Sequence, residues 1–418
     1  MAGRRPLIST VDLLPLLTAR YREQKLTSGR KAMSEAQFIA PQETEYLFDA
    51  DSHVMEPPDL WDNYLDPAFR NRGIRILPDA NGIDQLWVDG EVVMPNRLSA
   101  IGGVGMDTSQ LFDAGGKLTY MDGAPPASMF GPERIRLFDE WGVGGGLLLP
   151  TVGILWDKDD APLANAYCRA YNDWVYDFQA ADRNRLIAAA HLNLRDIPNA
   201  IKELDRRLKQ GFRGVFLPPE RVDEKGFADP HFDPLWAFVE EAGVPLLPHV
   251  IVRTRRIVTG FAGDWYSRGR LNLTFSFGMG GASQLMPAIA AMVVDGLFDK
   301  FPRLKVASIE AGAGWAAYVM DRLDEKYKRF KWQAPLKLDL PSDYFRRNLW
   351  FCAEPEERTI GAMLELVGED RILWGSDYPH VDSYLEAAQQ IRHSVSGLST
   401  ARQRAVLGEN ARKLFGLR

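Results

Sequence analysis

The stretch YLFDADSHVMEPPDLW, residues 46–61, decides how the chain is read. Its apolar opening, Tyr46-Leu47-Phe48, has the composition of a buried strand. Asp49, Asp51, His53 and Glu56 follow, and Pro57-Pro58 then ends regular structure. Side chains of an extended backbone alternate between faces, so Asp51 and His53 share one face and Ser52 points away. A hard carboxylate beside an imidazole at a strand end suits a divalent metal. Glu56, on the loop beyond, is placed to fold back toward the same ion. Taken alone the segment reads equally as a solvated acidic turn; partners further along decide.

Working outward, apolar runs recur near residues 46, 146, 187, 215, 246, 306, 350 and 373. Helical periods separate them, at Asn165–Ala180, Ile197–Gln210, Pro234–Ala242, Ser283–Leu297, Gly314–Arg329, Glu356–Leu366, Ser383–Val395 and Thr400–Phe415. Apolar runs separated by helices are parallel strands covered on both faces. Eight such units predict an α/β fold, a (β/α)8 TIM-type barrel over 45–418. A doubly wound open sheet is the runner-up, but no glycine fingerprint for a dinucleotide follows any strand. Between the first two strands lies an insertion, about 54–126. Within it Gln85–Val93 reads as a hairpin turning at Asp89-Gly90. Two glycine-rich stretches, Ile101–Gly116 and Phe275–Gly281, are read as covering loops.

Ahead of the barrel, residues 1–44 read as an extension: an amphipathic helix around Val11–Arg22, then a linker. Its apolar stretch is broken by Ser9, Thr10 and Asp12 and has no small-residue cleavage site, so a signal peptide is the poorer reading. A net charge of −6 argues against nucleic acid as a partner. Cys168 and Cys352 form neither a metal spacing nor a disulfide framework, as expected of a cytoplasmic protein. No run is expected to reach the length of a membrane span. The expected partners are a small-molecule substrate and further copies of the chain, or a related barrel in a heteromer.

In a barrel the carboxyl ends of all strands meet on one face. Asp51 and His53 end the first strand, His249 the fifth, Glu310 the sixth and Asp377 the eighth, so residues hundreds of positions apart are brought together. Ionisable groups after buried apolar runs are costly unless paired or metal-bound.

With these residues in place, the chain resembles the amidohydrolase superfamily, in the branch around aminocarboxymuconate-semialdehyde decarboxylase and related aromatic-acid decarboxylases and hydrolases. The matching pieces are FDADSHVMEPPDLW (48–61), NAYCRAYNDW (165–174), GFRGVFLPP (211–219), VPLLPHV (244–250), LFDKFPRLKVASIEAGAGW (297–315), ILWGSDYPH (372–380) and LGENARKLFGL (407–417). The resemblance implies metal positions at Asp51, His53, His249 and Asp377. It also marks departures. The family commonly has two histidines on the first strand, where Asp51 replaces one, and a histidine after the sixth, where Glu310 stands. Pro218-Pro219-Glu220 occupies the place of the lysine that bridges binuclear members, so a lysine-bridged dizinc site is not expected.

An ion held this way, with a position left for water or substrate, predicts two routes. Glu310 or Asp377 takes a proton from bound water for attack on a carbonyl, or the ion chelates a substrate carboxylate while the site protonates carbon and carbon dioxide leaves. The oxygen-rich ligands favour manganese or iron over zinc, with one ion expected. A second reading counts Asp51, Glu56, Glu310 and Asp377 with His53 and His249 as a non-heme di-iron oxygenase set. A third is a catalytically silent barrel subunit. His380 is expected as an acid/base residue or as a partner orienting a ligand. His191 faces the same mouth, as substrate contact or core. Arg134 and Arg213 are read as carboxylate clamps or as ordinary surface salt bridges, and Trp61, Trp87, Trp156 and Trp315 as pocket walls or as aromatic core packing.

Overall fold

The computed structural model describes residues 45–113, 117–252 and 272–417, with 14, 15 and 18 ahead of them. The helix expected at Val11–Arg22 and its linker therefore lie almost wholly outside the described residues.

Eight parallel strands form one sheet: β1 (Phe48–Val54), β5 (Gly145–Pro150), β6 (Leu186–His191), β7 (Gly214–Leu217), β8 (Leu246–Pro248), β9 (Val306–Ser308), β10 (Leu349–Ala353) and β11 (Ile372–Trp374). They neighbour one another in chain order, and every residue in them is buried. This is the near-continuous apolar strand pattern of a barrel interior. Helices such as Ala161–Phe178, Ile197–Lys209 and Trp315–Phe330 pack outside, burying one stripe each.

The two ends of the sheet meet beyond β11. His53 N donates to Tyr378 O at 2.7 Å and Asp377 N to Asp51 O at 2.9 Å, and Ser52 pairs with Tyr378. Gly375 is required here: a Cβ on it would lie 2.2 Å from that of Asp51. Buried Asp49 ties the same seam, accepting from Ser376 N at 2.9 Å and Ser376 Oγ at 2.6 Å.

The insertion carries the expected hairpin, β3 (Asp84–Val88) with β4 (Glu91–Met94), and an unforeseen third strand, β2 (Arg75–Pro78). The loop expected at Phe275–Gly281 is instead the start of one helix, Leu273–Val294. Asn272 caps it, accepting from Phe275 N at 3.1 Å, and tertiary packing overrides the poor helix propensity of its glycines. That helix also corrects the expectation about membrane-span length. Its 22 residues, with a mean hydropathy of 1.4, are long and apolar enough to cross a membrane by length and composition. Here it lies against the barrel with Leu285, Ile289, Met292 and Val293 buried.

Candidate metal centre

At the carboxyl ends of the strands the side chains of Asp51, His53, His249, Glu310, Asp377 and His380 come together. His53 Nε2 lies 2.8 Å from His249 Nε2, 3.2 Å from Asp51 Oδ1 and 3.7 Å from Asp377 Oδ1. His249 Nε2 is 3.1 Å from Glu310 Oε2. Two overlapping donor groups result, Asp51 with His53 and His249, and His53 with Glu310, Asp377 and His380, each with its donor atoms within 4.8 Å of one another.

Local bonds fix how the rings point. His53 Nδ1 meets Pro150 O at 3.0 Å and His249 Nδ1 meets Val250 O at 2.7 Å. A carbonyl only accepts, so each Nδ1 carries the hydrogen and each Nε2 presents a lone pair. Two lone pairs 2.8 Å apart repel each other and are stabilised by a shared cation. Asp51 Oδ1 and Glu310 Oε2 are buried without hydrogen-bond partners on the same centre, which also fits a cation. His380 places Nδ1 2.6 Å from Asp377 Oδ1 and Nε2 3.1 Å from Thr151 Oγ1, so it holds Asp377 in position. Glu310 and Asp377 both take left-handed backbone, φ 55° and 54°. For a residue other than glycine this costs about 1 kcal/mol and is typical of functional sites.

The electrostatics follow from burial. Burial drives the His53 imidazole down to about 4, leaving the neutral ring a ligand needs. Burial disfavours the Asp51 carboxylate, but the closeness of His249 and His53 outweighs it and holds Asp51 below the usual range. Burial first, then the charge of neighbouring acids, pushes Glu310 and Asp377 well above the carboxylate range. A divalent ion held by Asp377 would reverse that preference there and keep that carboxylate ionised, while Glu310, outside the four ligands, stays the group raised toward its protonated form.

Three expected residues go elsewhere. Glu56 does not join the centre: its carboxylate accepts from Val152 N at 2.7 Å and Gly153 N at 3.3 Å, bracing the turn after β5. Arg134 is no substrate clamp. It is fully buried behind β1, donating to Ser52 Oγ, His53 O and Ala127 O. Arg213 precedes β7, at the end of the barrel remote from the mouth, and donates to Phe212 O. His191 ends β6 among the rings of Trp156, Tyr171 and Phe216. Trp61 and Trp315 pack on Tyr167 and Phe351 as core. Glu354 and Asp382 were not anticipated. Both reach water in the mouth yet stand among protein and other acids, and burial lifts Glu354 to about 8 and Asp382 above its usual value. Glu354 directly follows β10, so the strand-end rule that selected Glu310 would have found it.

The sequence model of the amidohydrolase family matches residues 154–417, and the chain belongs to that family. Gamma-resorcylate decarboxylase of Polaromonas sp. strain JS666 is 29% identical over 298 residues, 68% of this chain and 86% of that protein. Among solved structures, an amidohydrolase from Mycobacterium avium subsp. paratuberculosis superposes with a TM-score of 0.73 at 25% identity, covering 90% of this chain and 100% of that one. A dihydroxybenzoic acid decarboxylase from Polaromonas sp. JS666, solved with manganese and 2-nitroresorcinol, gives 0.59 at 21% identity, over 90% of this chain and 98% of that one, a likeness of fold. The branch read from the sequence motifs holds. The chain is a metal-dependent enzyme, a hydrolase or carbon–carbon lyase, and a divalent cation fits its donor set.

Proposed function

We propose that the chain removes the carboxyl group of a small aromatic acid without an oxidant, using one divalent ion held by Asp51, His53, His249 and Asp377. The observation that carries this reading is the meeting of those four side chains at one rim, in a family whose named curated relative above is a decarboxylase. His53 belongs to both donor groups; its Nδ1 is taken by Pro150 O, which leaves the one lone pair of Nε2 for one ion, so we read the groups as a single centre.

A bound cation supplies Lewis acidity to the substrate's carboxylate and a neighbouring oxygen. Asp51, His53, His249 and Asp377 fix its place, and His380 with Thr151 keeps Asp377 turned inward. Glu310 stands at the open edge with its side chain 19% exposed, placed to pass a proton to the substrate. As the bond between ring carbon and carboxylate breaks, the electron pair left on carbon takes the Glu310 proton and carbon dioxide departs. Glu310 then recovers a proton from water.

The test is turnover of hydroxybenzoates under nitrogen in heavy water, with elemental analysis of the purified protein. One ion per chain, carbon dioxide release and one deuterium at the vacated carbon are expected. Glu310→Gln should keep the ion and lose deuterium incorporation. Turnover that requires oxygen would move the assignment to the oxygenase reading, and acid release without carbon dioxide would move it to hydrolysis.

A further inference from the structure

Two segments outside the barrel are anchored beside the donor residues and meet above them. From one side, the insertion donates Val104 N to Pro379 O at 3.2 Å, two residues beyond Asp377. It then forms the short helix Thr108–Asp113, which carries Phe112. From the other side comes the Leu273–Val294 helix. Its Gln284 side chain bonds both the N–H and the carbonyl of Ile251, at 3.0 and 3.1 Å, two residues beyond His249. One turn earlier, Gly281 lies flat on the mouth, since a Cβ there would come 2.3 Å from Glu310 O. Residues four apart on a helix share a face, so Phe277 lies on the side of Gly281, one turn further along from its contact with Glu310. Phe277 and Phe112 meet edge to face, centroids 6.5 Å apart at 73°. Phe277 is nonetheless 46% exposed. Among the described residues, then, this aromatic pair is only partly covered, on segments tied to the residues next to His249, Glu310 and Asp377.

We propose that Phe112 and Phe277 form the aromatic wall of the substrate pocket, against which the substrate ring packs while its carboxylate faces Asp51, His53, His249 and Asp377. This rests on the aromatic-acid reading above and assigns selectivity for aromatic over aliphatic acids to these two rings. The four donors hold the cation without help from either ring in this reading, so removing the rings alters ring affinity and leaves the cation in place.

The experiment titrates the manganese-loaded full chain with 2,6-dihydroxybenzoate and, separately, with oxalate, which has carboxylates but no ring. Phe277→Ala and Phe112→Ala are each expected to weaken dihydroxybenzoate by about five- to tenfold. Manganese stoichiometry and oxalate affinity should stay unchanged, and Phe277→Tyr should retain wild-type affinity for the ring. If both alanine variants bind dihydroxybenzoate within twofold of wild type, the aromatic wall is overturned while the aromatic-acid reading stands. An equal loss of oxalate also overturns it, because the rings would then be shaping the metal seat. Wild type that takes manganese and oxalate but no dihydroxybenzoate overturns both.

Discussion

Two histidines end strands on the same face of this barrel and live in different chemistry. His249, beyond β8, turns Nε2 toward His53, Asp51 and Glu310, while its Nδ1 is fixed on Val250 O. His191, the last residue of β6, stands among Trp156, Tyr171 and Phe216, its backbone N–H held by Asn172 at 2.9 Å. The strand-end position is shared. What differs is the company: acids and a second lone pair at one side, aromatic rings at the other. Place in a barrel mouth alone therefore does not mark a candidate metal ligand; converging donors do.

The largest effect expected is at the acidic side. His249→Ala or Asp377→Ala should abolish stoichiometric metal and lower activity by about a thousandfold or more, with the fold intact because the barrel core carries the stability. His191→Phe should keep a full complement of metal. Elemental analysis of the three proteins checks the contrast, and equal metal loss in all three would erase it.

Next comes the support behind β1. Arg134 is buried with its guanidinium among Ser52, His53 O and Ala127 O and over the ring of Tyr378. Arg134→Leu leaves those acceptors unpaired, with an expected loss of about 3–5 kcal/mol in stability. Because Arg134 holds the His53 carbonyl, metal affinity should also fall by about 10- to 100-fold. Urea melts and a manganese titration read the two separately. Arg213→Ala, at the far end of the barrel, should change neither.

The barrel was legible from its sequence because eight buried runs, each ended by a turn and followed by a helical period, leave little else for the chain to form. That Asp51, His53, His249, Glu310 and Asp377 meet at one rim was legible for the same reason, since each sits at or just beyond the end of a run. Misreadings came where a side chain's direction depends on tertiary contacts. Glu56 is near His53 in sequence, but the turn at Val152-Gly153 offers it two N–H donors. Arg134 has the fork of a carboxylate clamp, yet its helix faces it inward. The Phe275–Gly281 segment carries glycines that signal a loop, and only the contact of Gly281 with Glu310 explains why one helix runs through it.

Glu56 provides the pH test. Burial raises its carboxyl from an ordinary 4.5 to about 7, against the pull of the two backbone N–H groups. The folded state thus holds this proton between about 4.5 and 7 while the unfolded chain has lost it. Stability from this group is full below the lower value and is lost as pH rises through the upper one. The loss should approach about 3 kcal/mol. Glu56→Gln removes the titration, so its melting temperature should fall less than that of wild type between pH 5 and 8. Its metal content should match wild type, unlike that of His249→Ala.

The smallest effect expected is at Thr151, and it asks how far the acidic side extends. Thr151 Oγ1 lies 3.1 Å from His380 Nε2 and 3.4 Å from His53 Nδ1, so one hydroxyl touches both a ring beside the donor His53 and the ring that holds Asp377. Thr151→Val keeps the shape and removes the hydroxyl. His53 retains Pro150 O as its Nδ1 partner, so its orientation should survive. His380 loses its contact on Nε2, and with it part of the restraint on Asp377. Manganese affinity should drop by about tenfold with stability nearly unchanged. An unchanged affinity would show that the His380–Asp377 contact is sufficient without its neighbour, and would draw the boundary of the metal centre at the carboxylates themselves.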